Sequence, residues 1–470
     1  VHHEKAANGT DAATHGRRPS PAESTPASGT QKTGLTRRSP ITRFARITPA
    51  AVTATVVLWG LLLSGTNGCG DDYVIPNGSR ETQRGIRFVR LHGTPYEMGY
   101  QHGTLLYDEL QEGAAFIESS ILWVMMEWAA DWGFVEQAWQ YSYPDVIEEC
   151  QGLSDAVDGG ISMEQCLVLA YGDVVIEYLE GGHPLGCSQF AAAGAATRDG
   201  RLIHGRNLDW DAFSFIEENP VVFYREPEGK IPHLSLGFPG NVAPFSGMNS
   251  AGISVASNET DAQADVDREG RGHVQMVRQI LQEAETLEDA EAFLRAQDHT
   301  TAEILVVSDG PTGRAAVFEM TASHLGVRMI NADEIVYATN HFVHPDMADK
   351  GPQAEPGDST WNRYERLGQL LEPDGTDTLY GDLDIAGAIS ILRDTYNVHT
   401  GETHPPDLLD DGGSIANNGS LQSVVFVPNA GLMYVGVGPV PAVTNVFVGF
   451  SIEQAQGGLA SPPPTPETYP

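Results

Sequence analysis

The hydrophobic period of the chain changes at Cys187, and a fold must accommodate both halves. Upstream, "WQYSYPDVIEECQGLSDAV" spaces Trp139, Tyr143, Val146, Ile147, Cys150, Leu153 and Val157 three and four apart, one face of a helix. "SMEQCLVLAYGDVVIEYL" opens with Ser162 and Gln165 at capping-box spacing, then lines Met163, Cys166, Leu167, Ala170, Val174 and Tyr178 along one side. Downstream, "CSQFAAAGAAT" and "LIHGRNLDW" flank "RDGR", where Asp199-Gly200 predicts a hairpin turn. Strand-like runs continue through "PVVFYREPEGKIPHLSLGF", "GISVASNE", "EILVVSDGPTGRAAVFEM", "EIVYATN", "QSVVFVPNAGLMYVGVGP" and "VTNVFVGF". Helices are predicted over 273–296, about 360–371 and about 383–394. The chain reads as α+β, with a helical segment over 69–186 and a part dominated by antiparallel strands over 187–455. Residues 401–420 read as a long loop beside a site or the surface, and 456–470 as a disordered tail. Trp123, Trp128, Trp132 and Trp139 read as core of the helical segment.

Charge divides the chain differently. Residues 1–68 hold 8 of the 27 Lys and Arg but 3 of the 63 Asp and Glu. They read as a disordered N-terminus followed by an export signal: Arg37, Arg38, Arg43 and Arg46 precede an apolar run from Ala50 to Leu63, short for a membrane span. Cys69 follows as the lipidated cysteine of a bacterial lipoprotein would, although Thr66 and Asn67 depart from the usual signal. The expected location is periplasmic, membrane-anchored as a lipoprotein, or extracellular, with an uncleaved N-terminal anchor as the alternative. A net charge of −36 excludes a nucleic-acid partner, because phosphate binding needs clustered Lys and Arg. Cys150 and Cys166 fit either a disulfide or two buried thiols. His341, His344, His399 and His404 match no metal-ligand spacing, so neither a metal nor a cofactor is expected.

Cys187 itself fits a buried hydrophobe, half a disulfide, a metal ligand or a nucleophile. A cut between Gly186 and Cys187 would give one residue both a thiol and a free α-amine, nucleophile and general base together. Arg206 and Asp209 lie on the expected return strand, where a carboxylate would orient the amine and the guanidinium would hold that carboxylate. Asn249 in "SGMNSAG" and Asn340 in "YATNHF" end strands, where an amide can donate to an oxyanion.

"GCSQF", "GRNLDW", "GMNSAG", "ATNHF" and "STWNRYERL", in that order, resemble the N-terminal-nucleophile cysteine hydrolases. The nearest likeness is to the autoproteolytic penicillin acyltransferases (acyl-coenzyme A:6-aminopenicillanic acid acyltransferase), with penicillin V acylase, bile salt hydrolase and acid ceramidase as cousins. "GTPYEMGYQHG", Gly93 to Gly103, is similar to the opening of that family's helical segment. The resemblance implies a four-layer αββα sandwich and self-cleavage between Gly186 and Cys187, with the two resulting chains staying associated. It also implies acyl chemistry on a small amide or thioester substrate. It places Cys187 as nucleophile, Arg206 and Asp209 beside the amine, and Asn249 and Asn340 at the oxyanion or amine. Arg363 would be the late active-site arginine, with Arg366 competing. A processing-dead lipoprotein that binds acylated ligands is the alternative from another class. A papain-like protease has no local signature here.

Overall fold

The computed structural model describes residues 73–158, 160–172, 174, 186–210, 214–261, 265–405, 412–457 and 462–470. The expected export signal and Cys69 lie outside them. The strands are β1 (Tyr73–Ile75), β2 (Gly78–Gln83), β3 (Ile86–Gly93), β4 (Ser188–Gly194), β5 (Gly200–Asp209), β6 (Val221–Pro227), β7 (His233–Gly237), β8 (Ser246–Asn249), β9 (Ile253–Glu259) and β10 (Glu303–Asp309). They continue with β11 (Arg314–Met320), β12 (Leu325–Met329), β13 (Ile335–Ala338), β14 (Tyr396–Asn397), β15 (Glu402–Thr403), β16 (Ser420–Val427), β17 (Leu432–Gly436), β18 (Phe447–Ser451) and β19 (Thr468–Tyr469).

Ten strands form one sheet in the order β1-β2-β3-β6-β7-β8-β9-β10-β11-β12. Seven form a second in the order β13-β4-β5-β16-β17-β18-β19, and β14 and β15 make a small hairpin. β3 and β6 run parallel, whereas β4 and β5 pair antiparallel around Gly200, at φ +77°, as the Asp199-Gly200 turn predicts.

The two sheets face each other. Phe88, Leu234 and Met248 of the first meet Val424, Phe426 and Met433 of the second. Farther along, Ile304 and Val306 meet Ala191 and Leu202. Helices cover both outer faces. Helices His273–Glu283 and Leu287–Arg295 pack on Val255, Leu305 and Val307, and helices Ser359–Leu371 and Ile385–Leu392 pack on Phe190, Ile203 and Val425. The result is a four-layer αββα sandwich. "ILVV", Ile304 to Val307, is an unbroken apolar run because β10 is buried on both faces.

The N-terminal part departs from the expected helical segment. β1–β3 extend the ten-stranded sheet before the helices α1 (Pro95–Leu105), α2 (Tyr107–Ser119), α3 (Ile121–Asp131), α4 (Phe134–Tyr141), α5 (Pro144–Ala156) and α6 (Met163–Ala170) begin. The face expected from Trp139 to Val157 is broken, because Pro144 starts a new helix at its first turn. Trp128, Trp132 and Trp139 are 52%, 55% and 42% exposed, not core. The side chain of Trp123 lies outside the described residues. The predicted 273–296 helix is two, with Thr286 capping the second. Thr468 and Tyr469 in the expected disordered tail form β19 against β18.

Local signals hold. Ser162 and Gln165 make the reciprocal capping box, and Cys150 and Cys166 are joined as a disulfide between α5 and α6. α1 and α5 cross closely through glycines: a Cβ on Gly152 would lie 2.0 Å from the Tyr96 carbonyl oxygen, and one on Gly99 2.0 Å from that of Glu149.

Candidate active site

Four segments converge on Cys187. β4 begins at the next residue, and β5 returns beside it with Arg206 opposite Gln189. β13 pairs with the other edge of β4, so Asn340 lies two residues beyond the pair Ala338 and Gln189. β16 borders β5 with Ser420 opposite Asp209. The helix Ser359–Leu371 packs on the outer face of this sheet and carries Arg363.

Each polar group of Cys187 has its own partner. Its N–H donates to Asn340 Oδ1 at 2.8 Å. Its carbonyl accepts from Arg363 Nη1, which also donates to Ser188 Oγ at 3.0 Å. Its thiol lies 3.8 Å from Arg206 Nη2. Arg363 Nη2 donates to Asn340 Oδ1 at 2.8 Å, so one amide oxygen ties the arginine to the cysteine backbone. Asn340 is fixed in turn: Nδ2 donates to the Glu259 carbonyl at 2.7 Å and its own N–H to Thr360 Oγ1 at 2.8 Å.

Asp209 is buried and accepts from Asn417 Nδ2 at 2.6 Å and from the Ser420 hydroxyl at 2.8 Å. Desolvation pushes its carboxyl up to about 6, against the opposing pull of Arg363, these two hydrogen bonds and Arg206. It lies beside Gly186, where a Cβ would meet Asp209 Oδ2 at 3.3 Å and the Arg363 guanidinium carbon at 3.7 Å. Burial raises the Cys187 thiol above its ordinary value, while Arg206, a hydrogen bond from the Asp209 backbone and Arg363 pull it down.

An apolar cavity of about 220 Å³ opens at the thiol. Phe116, Ile117, Met126, Phe215, Phe238 and Phe245 line its apolar part, which runs under the N-terminal helices. From the N-terminal helices, Phe116, Ile117 and Met126 line this part of the cavity.

The structure therefore gathers Gly186, Cys187, Arg206, Asp209, Asn340 and Arg363. Two expectations need correction. Asn249 is at the opposite end of β8 from the site. Its Nδ2 donates to the Leu281 and Ala284 carbonyls and its Oδ1 accepts the Ala251 and Ile253 N–H groups, which uses all its capacity and leaves no donor for an oxyanion. Arg206 does not grip Asp209. Its Nη2 donates to the Ser257 carbonyl at 2.7 Å, while its buried Nε and Nη1 have no hydrogen-bond partner among the described residues. Arg366 is drawn away by Asp377 and Asp394, which leaves Arg363 as the site arginine. Sequence reasoning missed Asn417, Ser420, Ser257 and Thr360. For the first two the only signal was the "NNGS" turn closing the 401–420 loop.

Residues 196–435, just over half of the chain, match the family model described as acyl-coenzyme A:6-aminopenicillanic acid acyl-transferase. The chain belongs to that family. A protein of Archaeoglobus fulgidus, described as uncharacterized, is 27% identical over 349 residues, 64% of this chain and 56% of its own length. The chain thus spans little more than half of that relative. The acyl-coenzyme A:6-aminopenicillanic-acid-acyltransferase 40 kDa form of Emericella nidulans is 23% identical over 63% of this chain and 80% of its own. The solved structure of a Caenorhabditis elegans N-acylethanolamine-hydrolyzing acid amidase ortholog superposes with a TM-score of 0.38 and 19% identity, covering 52% of this chain and 93% of that one. The matched family residues begin downstream of Cys187, so the role of the cysteine rests on geometry.

Proposed function

We propose that the protein is an exported amidohydrolase that cuts itself before Cys187 and then cleaves linear acyl amides through a thioester on that residue. The observation that carries this reading is the constellation at one sheet end: the described free cysteine, with its N–H, carbonyl and thiol each beside a different polar side chain, at the mouth of an apolar cavity.

In self-cleavage the thiol loses its proton and Sγ attacks the Gly186 carbonyl carbon. The bond to the Cys187 nitrogen breaks, and that nitrogen takes a proton to become an α-amine. Water then releases the Gly186 carboxylate and restores the thiol. The Asp209 carboxylate, beside this bond and titrating at about 6, is placed to accept a proton from the thiol. In turnover the α-amine, ordinarily near 7.7–8.0, takes the thiol proton. Sγ bonds the acyl carbon, the amide C–N bond breaks, and the leaving nitrogen takes the proton. Water attacks the thioester, giving a carboxylic acid and free thiol. Arg206, whose Nη2 lies 3.8 Å from Sγ, is the cation that would stabilise the developing oxyanion. Asn340 and Arg363 hold the cysteine backbone still. The apolar cavity suits the acyl group, and water is the favoured acceptor over an amine.

The disulfide between Cys150 and Cys166 supports an oxidising compartment, periplasmic or extracellular, with Cys69 as the site of a lipid anchor. The test is acylation. Purified protein is mixed with p-nitrophenyl decanoate, quenched in acid and mapped by mass spectrometry. One decanoyl group is expected on the chain beginning at Cys187, and none on Cys187→Ala. Acylation that persists in Cys187→Ala, or its absence from the wild type, contradicts the reading; the latter would leave a protein that binds acylated ligands without turnover.

A further inference from the structure

The run "GTPYEMGYQHG" carries a histidine that the proposed chemistry does not use. His102 of α1 is fully buried, its ring 4.8 Å from that of Phe223 between centroids. Its Nε2 accepts the Gly240 N–H at 3.0 Å, so the ring is neutral with its proton on Nδ1. Burial and the nearby Arg225 hold its pKa well below the ordinary value, which keeps Nε2 an acceptor. Nδ1 is buried and has no hydrogen-bond partner among the described residues. An unpaired polar atom in the core carries a free-energy cost, and the bond made by the other ring nitrogen is what offsets it.

Gly240 stands at the corner of a cavity wall. Residues 238–245, which join β7 to β8, form no strand, and 238–243 and Phe245 line the cavity. Side chains hold this backbone instead. The Asn241 carbonyl accepts from Arg225 Nη2 at 2.9 Å and the Val242 carbonyl from Arg278 Nη1 at 2.8 Å. Both arginines are also ion-paired with buried Glu149 of α5. At the far end the Phe245 carbonyl accepts from the Ser257 N–H at 3.0 Å, and the Ser257 carbonyl accepts from Arg206. The corner itself, at φ +88°, faces the N-terminal part. A Cβ on Gly240 would lie 3.4 Å from Leu110 Cδ2 and 3.5 Å from Ile161 Cδ1, two further lining residues. The width of the cavity here therefore depends on where Gly240 is held.

We propose that His102 is a positioning residue that fixes the 238–245 wall and so sets which acyl chains the cavity accepts. This inference rests on the reading of the cavity as the acyl site. It gives the part of the chain before Gly186 a share in substrate selection, through a residue outside the cavity lining.

The test compares p-nitrophenyl decanoate with p-nitrophenyl acetate, whose acyl group offers the wall little to hold, in the wild type, His102→Leu and His102→Gln. In His102→Leu the Gly240 N–H loses its acceptor and the wall its anchor. The ratio of kcat/KM for decanoate to that for acetate is expected to fall about tenfold, with the loss in KM and not in kcat. Glutamine brings an amide oxygen to the place of Nε2, so His102→Gln should keep the ratio within a few-fold of the wild type. If His102→Leu does not fold, His102→Asn, polar but too short to reach Gly240, takes its place beside His102→Gln. A ratio unchanged when the acceptor is lost overturns the proposal. So does an equal fall for both esters, which would make His102 merely structural, or a fall in His102→Gln as large as in His102→Leu. If both esters acylate Cys187 and the ratio does not change with the side chain at 102, only the wall proposal fails. If neither ester acylates Cys187 in the wild type, the amidohydrolase reading fails first and the wall proposal falls with it.

Discussion

Asp209 is the residue on which the proposed chemistry turns. Its carboxyl titrates at about 6 in the uncleaved chain, so it is protonated below that pH and charged above it. Self-cleavage is therefore expected to accelerate as pH rises through about 6. Asp209→Asn should lose that limb and slow cleavage and turnover on the order of 10²-fold, read from pH–rate profiles. A profile in Asp209→Asn matching the wild type would make Asp209 structural. The same shift has a stability consequence. Because the folded value lies above the ordinary 3.8, this group's contribution is fully present below about pH 4 and is lost as pH climbs to about 6. Urea unfolding of uncleaved Cys187→Ala should show that loss between pH 4 and 6.5, and the double variant with Asp209→Asn should lack its share. Asn249 tests the opposite assignment. Asn249→Ala breaks four buried hydrogen bonds, so it should destabilise by about 2 kcal/mol or more while leaving the rate per folded molecule within a few-fold. A rate loss as large as that of Asp209→Asn, with unchanged melting, would return Asn249 to the site. The order of motifs made "GMNSAG" look catalytic. β8 pairs with its sequence neighbours β7 and β9, so which of its ends faces the cysteine is set by how that sheet packs on the sheet of β4 and β5, which a single sequence does not display.

Among the elements, local signals were legible and long-range ones were not. The Ser162–Gln165 capping box and the Asp199-Gly200 turn use neighbours a few residues apart, so the sequence displays them directly. β1–β3 are strands because β3 finds β6 more than a hundred residues away, and nothing local announces that partner. The division of the Trp139–Val157 stripe was visible as Pro144, whose ring starts a helix more readily than it continues one. The close crossing of α1 and α5 gives a sharp prediction. Gly152→Ala places a methyl group against the backbone of Tyr96, where neither side can yield without moving a helix. A loss of about 2 kcal/mol or more is expected from overpacking, read as a lower melting temperature. Unchanged melting would mean that the helices stand farther apart than described.

At the scale of the molecule, the boundary expected at Gly186 is not an architectural one. The described residues fall within one compact unit, and the N-terminal part contributes β1–β3 to the ten-stranded sheet. Glu149 of α5 is also buried against Arg225 of β6 and Arg278, so the parts before and after Gly186 share charged as well as apolar contacts. After cleavage the chains should co-elute in size-exclusion chromatography and separate only in denaturant. Reduction should destabilise the N-terminal chain by about 3 kcal/mol without releasing it, since Cys150 and Cys166 both lie within it. Separation under native conditions would contradict the shared sheet. The order of layers was legible only through the family resemblance, the change of period at Cys187 giving no more than α+β, and the joining of the N-terminal part to the ten-stranded sheet was not legible because β3 pairs with β6 across more than a hundred residues. The central claim is that Cys187 becomes an N-terminal residue, and the most direct measurement is N-terminal sequencing of the purified protein beside its intact mass. Two chains are predicted, the second starting at Cys187, with Cys187→Ala remaining whole. Full acyl-cleaving activity in a single uncut chain, or a new terminus elsewhere, would contradict it.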